Sequence, residues 1–132
     1  MIVDSSALLA ILFAEPDREL YAAALDAAPS VRLSAVNFVE AAARVDMGRS
    51  PTASDAFDDL IREARVTIEP VTVEQALLAR RAYRTYGRGS GSPARLNLGD
   101  CFAYALAKAV GEPLLFKGSD FGHTDVGVAA IR

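Results

Sequence analysis

The chain has 132 residues, 52% of them hydrophobic and 23% charged, with 14 basic and 17 acidic side chains and a net charge of −3. That length suits one domain with a sizeable core and excludes two ordinary ones, and the apolar share excludes a disordered chain. The single cysteine, Cys101, excludes an internal disulfide; with His123 the only histidine, a zinc cluster or a Ser-His-Asp triad is poorly supplied, and the acidic balance taken alone argues against a nucleic-acid partner.

Met1 to Val3 reads as a short buried strand ending at Asp4. Asp4 or Ser5 then caps a helix through Leu8, Leu9, Leu12 and Phe13. Pro16 opens a second helix with Leu20, Tyr21 and Leu25, stopping before Pro29. Val31 to Leu33 is a second strand, and Ser34 caps a helix whose apolar face is Val36, Val39, Ala43 and Met47, ended by Gly48. Residues 52–65 form another amphipathic helix with Phe57, Leu60 and Ile61 inward, followed by a third strand, Val66 to Ile68. A helix over 72–86 carries Val73, Leu77, Leu78 and Tyr83 on its apolar side, and the loop GRGSGS closes at Pro93. Asn97 caps the next helix, with Asp100 three residues on as in a capping box. Leu114 to Phe116 is the fourth strand and Gly127 to Ile131 a last one. Strands alternating with helices predict an α/β domain with a buried, mainly parallel sheet. No apolar run approaches the ~20 residues of a membrane span, and MIVDSSALLAILFAEPD lacks the marks of a signal peptide, which points to the cytoplasm and away from membranes.

Ligands of open parallel sheets sit at the carboxyl ends of the strands. Asp4 follows the first strand, Glu40 the second, Asp100 opens a late helix and Asp120 follows the fourth strand, so four acids distant in sequence converge on one edge. Such a cluster repels itself unless cations neutralise it, and all-oxygen ligands suit Mg²⁺ or Mn²⁺, one or two of which can activate water for attack on a phosphodiester. Each acid also has a purely structural explanation. Asp4 can cap a helix, Asp100 can favour a helix dipole, Glu40 can be a solvated surface residue and Asp120 a turn residue. Convergence separates the two sets of readings.

The segments MIVDSSALLAILFAEPD, SAVNFVEAA, YGRGSGSPARLNLGDCFAYALAKAVGEPLLFKGSDF and HTDV, in that order, resemble the PIN-domain ribonucleases, and more closely the VapC-type toxins of bacterial toxin–antitoxin pairs. The resemblance covers residues 1–132 as one PIN-like domain. It implies a short, mainly parallel central sheet flanked by helices, an acidic pocket binding Mg²⁺ or Mn²⁺, and endonucleolytic cleavage of RNA such as tRNA or rRNA. It also implies homodimerisation and a VapB-like antitoxin that blocks the pocket with a basic side chain. Asp4, Glu40 and Asp100 match the family's acids. Many relatives carry two acids in the late turn; here the first position is Gly118, so Asp120 is taken as the fourth acid, with Asp125 in reserve. Ser6 matches a small hydroxyl residue that bonds a carboxylate or a metal-bound water, or else is an ordinary first-turn residue. GSGS stands where relatives are more basic.

Charge is unevenly spread. Residues 1–74 carry 6 basic and 13 acidic groups (−7) and residues 75–132 carry 8 and 4 (+4). No acid lies between Glu74 and Asp100, whereas Arg84, Arg88 and Arg95 border the glycine loop near Tyr86; with Lys117 they form a candidate RNA-binding set, Tyr86 offering a stacking face or simply packing. Leu8, Leu9, Leu12, Phe13, Phe57, Leu60 and Ile61 exceed what short helices need and leave a groove for an antitoxin helix, if the core does not take them all. Two other readings compete: a phospho-receiver-like signalling domain, which needs paired acids after the first strand, and a non-catalytic PIN-like binding module.

Overall fold

A computed structural model describes residues 1–131. The elements run β1 (Ile2–Val3), α1 (Ser5–Leu12), α2 (Arg18–Ala27), β2 (Val31–Ser34), α3 (Ala35–Asp46), α4 (Pro51–Glu63), β3 (Val66–Glu69), α5 (Val73–Tyr86), α6 (Leu98–Val110) and β4 (Leu114–Leu115), followed by a 3-10 turn, Asp120–His123. The four strands form one parallel sheet in the order β3-β2-β1-β4. The chain therefore leaves β1 toward β2 and β3 on one side and returns to β4 on the other. That reversal opens a crevice beyond the carboxyl ends of β1 and β4, where parallel sheets bind ligands.

Alternation along the strands divides the core. Ile2 pairs with Leu114 and both face α5 and α6, whereas Val3 pairs with Leu115 and both face α1 and α2. Ala41, Val45 and Phe57 make a third cluster between α3 and α4. Helix α6 is buried on nearly every side through Cys101, Ala103, Tyr104, Ala105, Leu106 and Ala107. Its small side chains let α5 approach closely through Ala79 and Ala82.

That small-residue seam corrects two expected helix faces. On α5, Val73 is 78% exposed and Leu77 and Tyr83 also point out; only Leu78 of the expected set packs inward, beside Gln75, Ala79 and Ala82. On α3, Val39 and Met47 are 62% and 64% exposed and Ala43 is exposed too, while Asn37, Ala41 and Val45 turn inward. Side-chain size at a close contact, rather than hydrophobicity, chooses the buried face. The expected strand over 127–131 is reduced to a single parallel bridge between Leu114 and Val128, because only Gly127 and Ala129 exchange backbone hydrogen bonds with Leu114. Boundaries move slightly as well: α2 begins two residues beyond Pro16, Pro51 rather than residue 52 opens α4 behind the Ser50 cap, and β4 stops at Leu115. Among the described residues no helix is long and apolar enough to cross a membrane.

Candidate active site

Asp4 is placed by the strand before it and the helix after it. Its backbone N–H donates to the Leu115 carbonyl at 2.9 Å, extending the β1–β4 pairing by one residue. Its carboxylate then caps α1, with Oδ2 accepting the Ser6 N–H at 3.0 Å. The side chain is almost fully buried and Oδ1 has no hydrogen-bond partner. Burial pushes its pKa up to about 7; hydrogen bonds from Ser6 oppose the rise, and the charges of Asp100 and Glu40 add to it.

Glu40 reaches the same place from the second turn of α3. Its Oε1 accepts from the Ser5 hydroxyl and from Asn37 Nδ2, the latter at 3.4 Å. Asn37 is fully buried and also donates to the Gly99 carbonyl at 3.0 Å, tying α3 to the first turn of α6. Gly99 matters there for lack of a side chain, since a Cβ would collide with the Glu40 carboxylate. Asp100 completes the expected capping box: its Oδ2 accepts the Asn97 N–H at 3.0 Å, and its N–H donates to Asn97 Oδ1 at 2.8 Å. Burial raises the Asp100 pKa; the Asn97 N–H opposes this, Glu40 and Asp120 reinforce it, and Arg88 opposes it.

Asp4, Ser5, Glu40, Arg44, Asn97 and Asp100 line one pocket at this end of the sheet. Asp120 begins the 3-10 turn, exposed and outside that lining, yet close enough for its charge to act on Asp100. Among the described residues no three His, Cys, Asp or Glu side chains close up into a finished ion cage. The reason is visible in their partners: Glu40 is turned to Ser5 and Asn37, and Asp100 to its own cap. The donor set nevertheless fits a hard divalent cation. It consists of carboxylate oxygens, and Asp4 Oδ1 is a buried acceptor that nothing in the protein satisfies.

Two other candidates, Asp125 and Lys117, lie outside that lining, whereas Ser6 is part of it. Asp125 is not at the pocket: it accepts from the Tyr104 hydroxyl at 2.5 Å and from Lys108 at 3.2 Å, which anchors the segment after the 3-10 turn to α6. Lys117 is not a free RNA-binding cation, because its ammonium is paired with Glu15 and, at 2.8 Å, with Asp17. Ser6 lines the pocket and bonds a carboxylate as expected, through its N–H to Asp4, while its hydroxyl oxygen accepts the Lys117 N–H at 2.9 Å, stitching α1 to the segment after β4. Arg84, Arg88 and Arg95 are exposed and, among the described residues, unpaired. Their loop is closed at its base by the Gly87–Leu96 bridge. Tyr86 packs half-buried against Tyr104, with ring centroids 5.8 Å apart. Sequence reasoning missed Ser5, Asn37, Gly99 and Arg44; Asn37 and Arg44, one helical turn before and after Glu40, left a spacing signal.

The family model of the PIN domain matches residues 1–127. The chain belongs to the PIN-domain family. Within it, this PIN domain falls among the VapC ribonucleases: it is 56% identical over 132 residues to ribonuclease VapC28 of Mycobacterium tuberculosis, covering 100% of this chain and 99% of that protein. Ribonuclease VapC42 of the same organism is 48% identical over 126 residues, 96% of each chain. The fold agrees with the solved structure of M. tuberculosis VapC20, described as a sarcin–ricin loop cleaving toxin, at a TM-score of 0.76 and 18% identity over 99% of this chain and 98% of that one. It also agrees with VapBC2 of Rickettsia felis bound to a promoter DNA fragment, at a TM-score of 0.72 and 14% identity over 96% of this chain and 94% of that one. The receiver-like reading is excluded by this membership.

Proposed function

We propose that this PIN domain is a Mg²⁺- or Mn²⁺-dependent endoribonuclease, the toxin half of a VapBC-type pair, held in check by a VapB-like antitoxin and assembling as a homodimer. The observation that carries the catalytic reading is the buried Asp4 carboxylate, one oxygen unsatisfied, sharing a pocket with Glu40 and Asp100. Asp4, Glu40 and Asp100 would hold the ion, with Asp120 closing the outer side as the fourth acid. A bound divalent ion supplies the Lewis acidity that turns water into a nucleophile at neutral pH and stabilises the leaving oxygen. The protein's part is to keep Asp4 rigid through the α1 cap, to hold Glu40 through Ser5 and Asn37, and to fix Asp100 through its capping box. Arg84, Arg88 and Arg95 receive flanking phosphates and offset the repulsion between acids and RNA. Structured RNA such as tRNA or rRNA is the proposed substrate class. The toxin reading is supported by the VapC relatives and by apolar side chains left on the surface, Phe13, Val39, Met47, Val73 and Leu77 among them.

Purified protein freed of any antitoxin should cleave RNA when Mg²⁺ or Mn²⁺ is added and stop when a chelator removes it. Asp4→Asn and Asp100→Asn should abolish cleavage without unfolding the chain. Full activity in either folded variant overturns the site assignment, and absence of metal binding by wild type in calorimetry would make this a non-catalytic PIN-like module.

A further inference from the structure

Arg44 stands one turn after Glu40 on α3 and, among the described residues, is the only cationic side chain lining the acidic pocket. Glu and Arg at this helical spacing ordinarily pair. Here Glu40 is engaged by Ser5 and Asn37, and among the described residues Arg44 makes no ion pair at all. Two soft partners hold it instead. Its Cζ lies 5.8 Å from the centroid of the half-exposed Phe13 ring, and one guanidinium nitrogen lies 3.7 Å from Met47 Sδ. A guanidinium resting on an aromatic face keeps in-plane N–H groups available for a planar, two-oxygen acceptor. An exposed cation that declines three nearby carboxylates contributes little to folding. It is well placed to receive an anion that those carboxylates would otherwise repel.

We infer that Arg44 binds two oxygens of an RNA phosphate at the mouth of the acidic pocket, with Phe13 and Met47 as the shelf that holds its guanidinium in place. The inference rests on the ribonuclease reading above. It makes α3 the carrier of both an acid of the site and the cation that brings the strand to it.

The test uses the full chain and fluorescently labelled structured RNA, total tRNA and an rRNA hairpin, the substrate class proposed above. In cleavage assays with Mg²⁺, Arg44→Ala should raise KM on the order of tenfold, and Arg44→Lys, which keeps the charge without the fork, should fall between Ala and wild type. In the Asp100→Asn background, where binding is read without cleavage, adding Arg44→Ala should weaken RNA affinity similarly and make its salt dependence shallower by about one unit of slope. Mn²⁺ affinity by calorimetry should hold or tighten, since a positive charge leaves the site. Wild-type KM and salt slope in both folded Arg44 variants overturn the inference, with Arg44→Lys deciding should the alanine variant fail to fold. Absence of metal-dependent cleavage in wild type itself would instead overturn the ribonuclease reading, leaving the binding arm to judge Arg44 separately.

Discussion

Burying a carboxylate with one oxygen unpartnered works against folding, and Asp4 does so at the end of the central strand. With its pKa raised from 3.8 to about 7, the native chain keeps a proton that the unfolded chain releases. Folded and unfolded states match below the lower value; between the two the folded chain binds more protons, so this group lowers stability steadily as pH rises toward 7. Asp4→Asn, which keeps the helix cap, should remove that slope and be more stable than wild type at about pH 8, by up to about 4 kcal/mol, with little difference near pH 4. Thermal unfolding of both proteins across pH checks this. Saturating Mn²⁺ should raise the wild-type midpoint at neutral pH and leave Asp4→Asn nearly unmoved. Asp4, Glu40 and Asp100 were legible in the sequence because each sits where a strand end or helix start can be recognised. Ser5 was not, because a hydroxyl bonded to a carboxylate from another segment leaves no periodic trace; Asn37 sits one turn before Glu40, but its bond to the distant Gly99 carbonyl is invisible in the sequence.

At the scale of elements, the contact between α3 and α6 sets the site. Gly99 is the second residue of α6, in its first turn, where replacing it with alanine would ordinarily favour the helix by under about 1 kcal/mol. Here the added Cβ meets the Glu40 carboxylate. Gly99→Ala should therefore melt within a few degrees of wild type while cleaving RNA at least about tenfold more slowly. Unchanged kcat/KM would contradict the close seating of Glu40 on α6. On the far side of α6, the Tyr104 hydroxyl and Lys108 hold Asp125. Tyr104→Phe should cost about 1–2 kcal/mol in urea unfolding, whereas Lys108→Met, at an exposed ion pair, should cost under about 0.5 kcal/mol. The periodic pattern located α3 and α5 correctly but misjudged their inner faces. Periodicity counts apolar residues, and a seam built from alanine, asparagine and glutamine hides from it.

For the molecule as a whole, the uneven charge takes on a spatial meaning. The acids that make the first half negative include Asp4 and Glu40 at the pocket, while the positive second half supplies Arg84, Arg88 and Arg95 around the loop that leads into Asp100. The groove expected from surplus apolar residues is partly used up: Leu8 and Phe57 are core, and Leu60 and Ile61 pack at its edge. Leu9 and Leu12 pack partly buried against the α3–α4 cluster, and of the expected set only Phe13 stays exposed, near the acidic pocket with Val39 and Met47, two turns apart on one side of α3. Val39→Glu should weaken binding of the antitoxin at least about tenfold in titration calorimetry and leave RNA cleavage by the free toxin within about twofold. Antitoxin affinity equal to wild type would place the partner elsewhere.

The sequence by itself determined the succession of four strands and six helices, the parallel sheet, and the places of Asp4, Glu40 and Asp100 beside strand ends and helix starts, because each depends on local patterns: short apolar runs, caps, and acids just beyond them. The fifth strand it also suggested is a single bridge, and Asp120 lies outside the pocket lining. Only the tertiary structure decided how those acids are held, that Asp125 and Lys117 serve as anchors, and that Arg44 shares their pocket. Those outcomes depend on which side chains from distant segments reach the same space, and on how much room their neighbours leave, neither of which a linear pattern encodes.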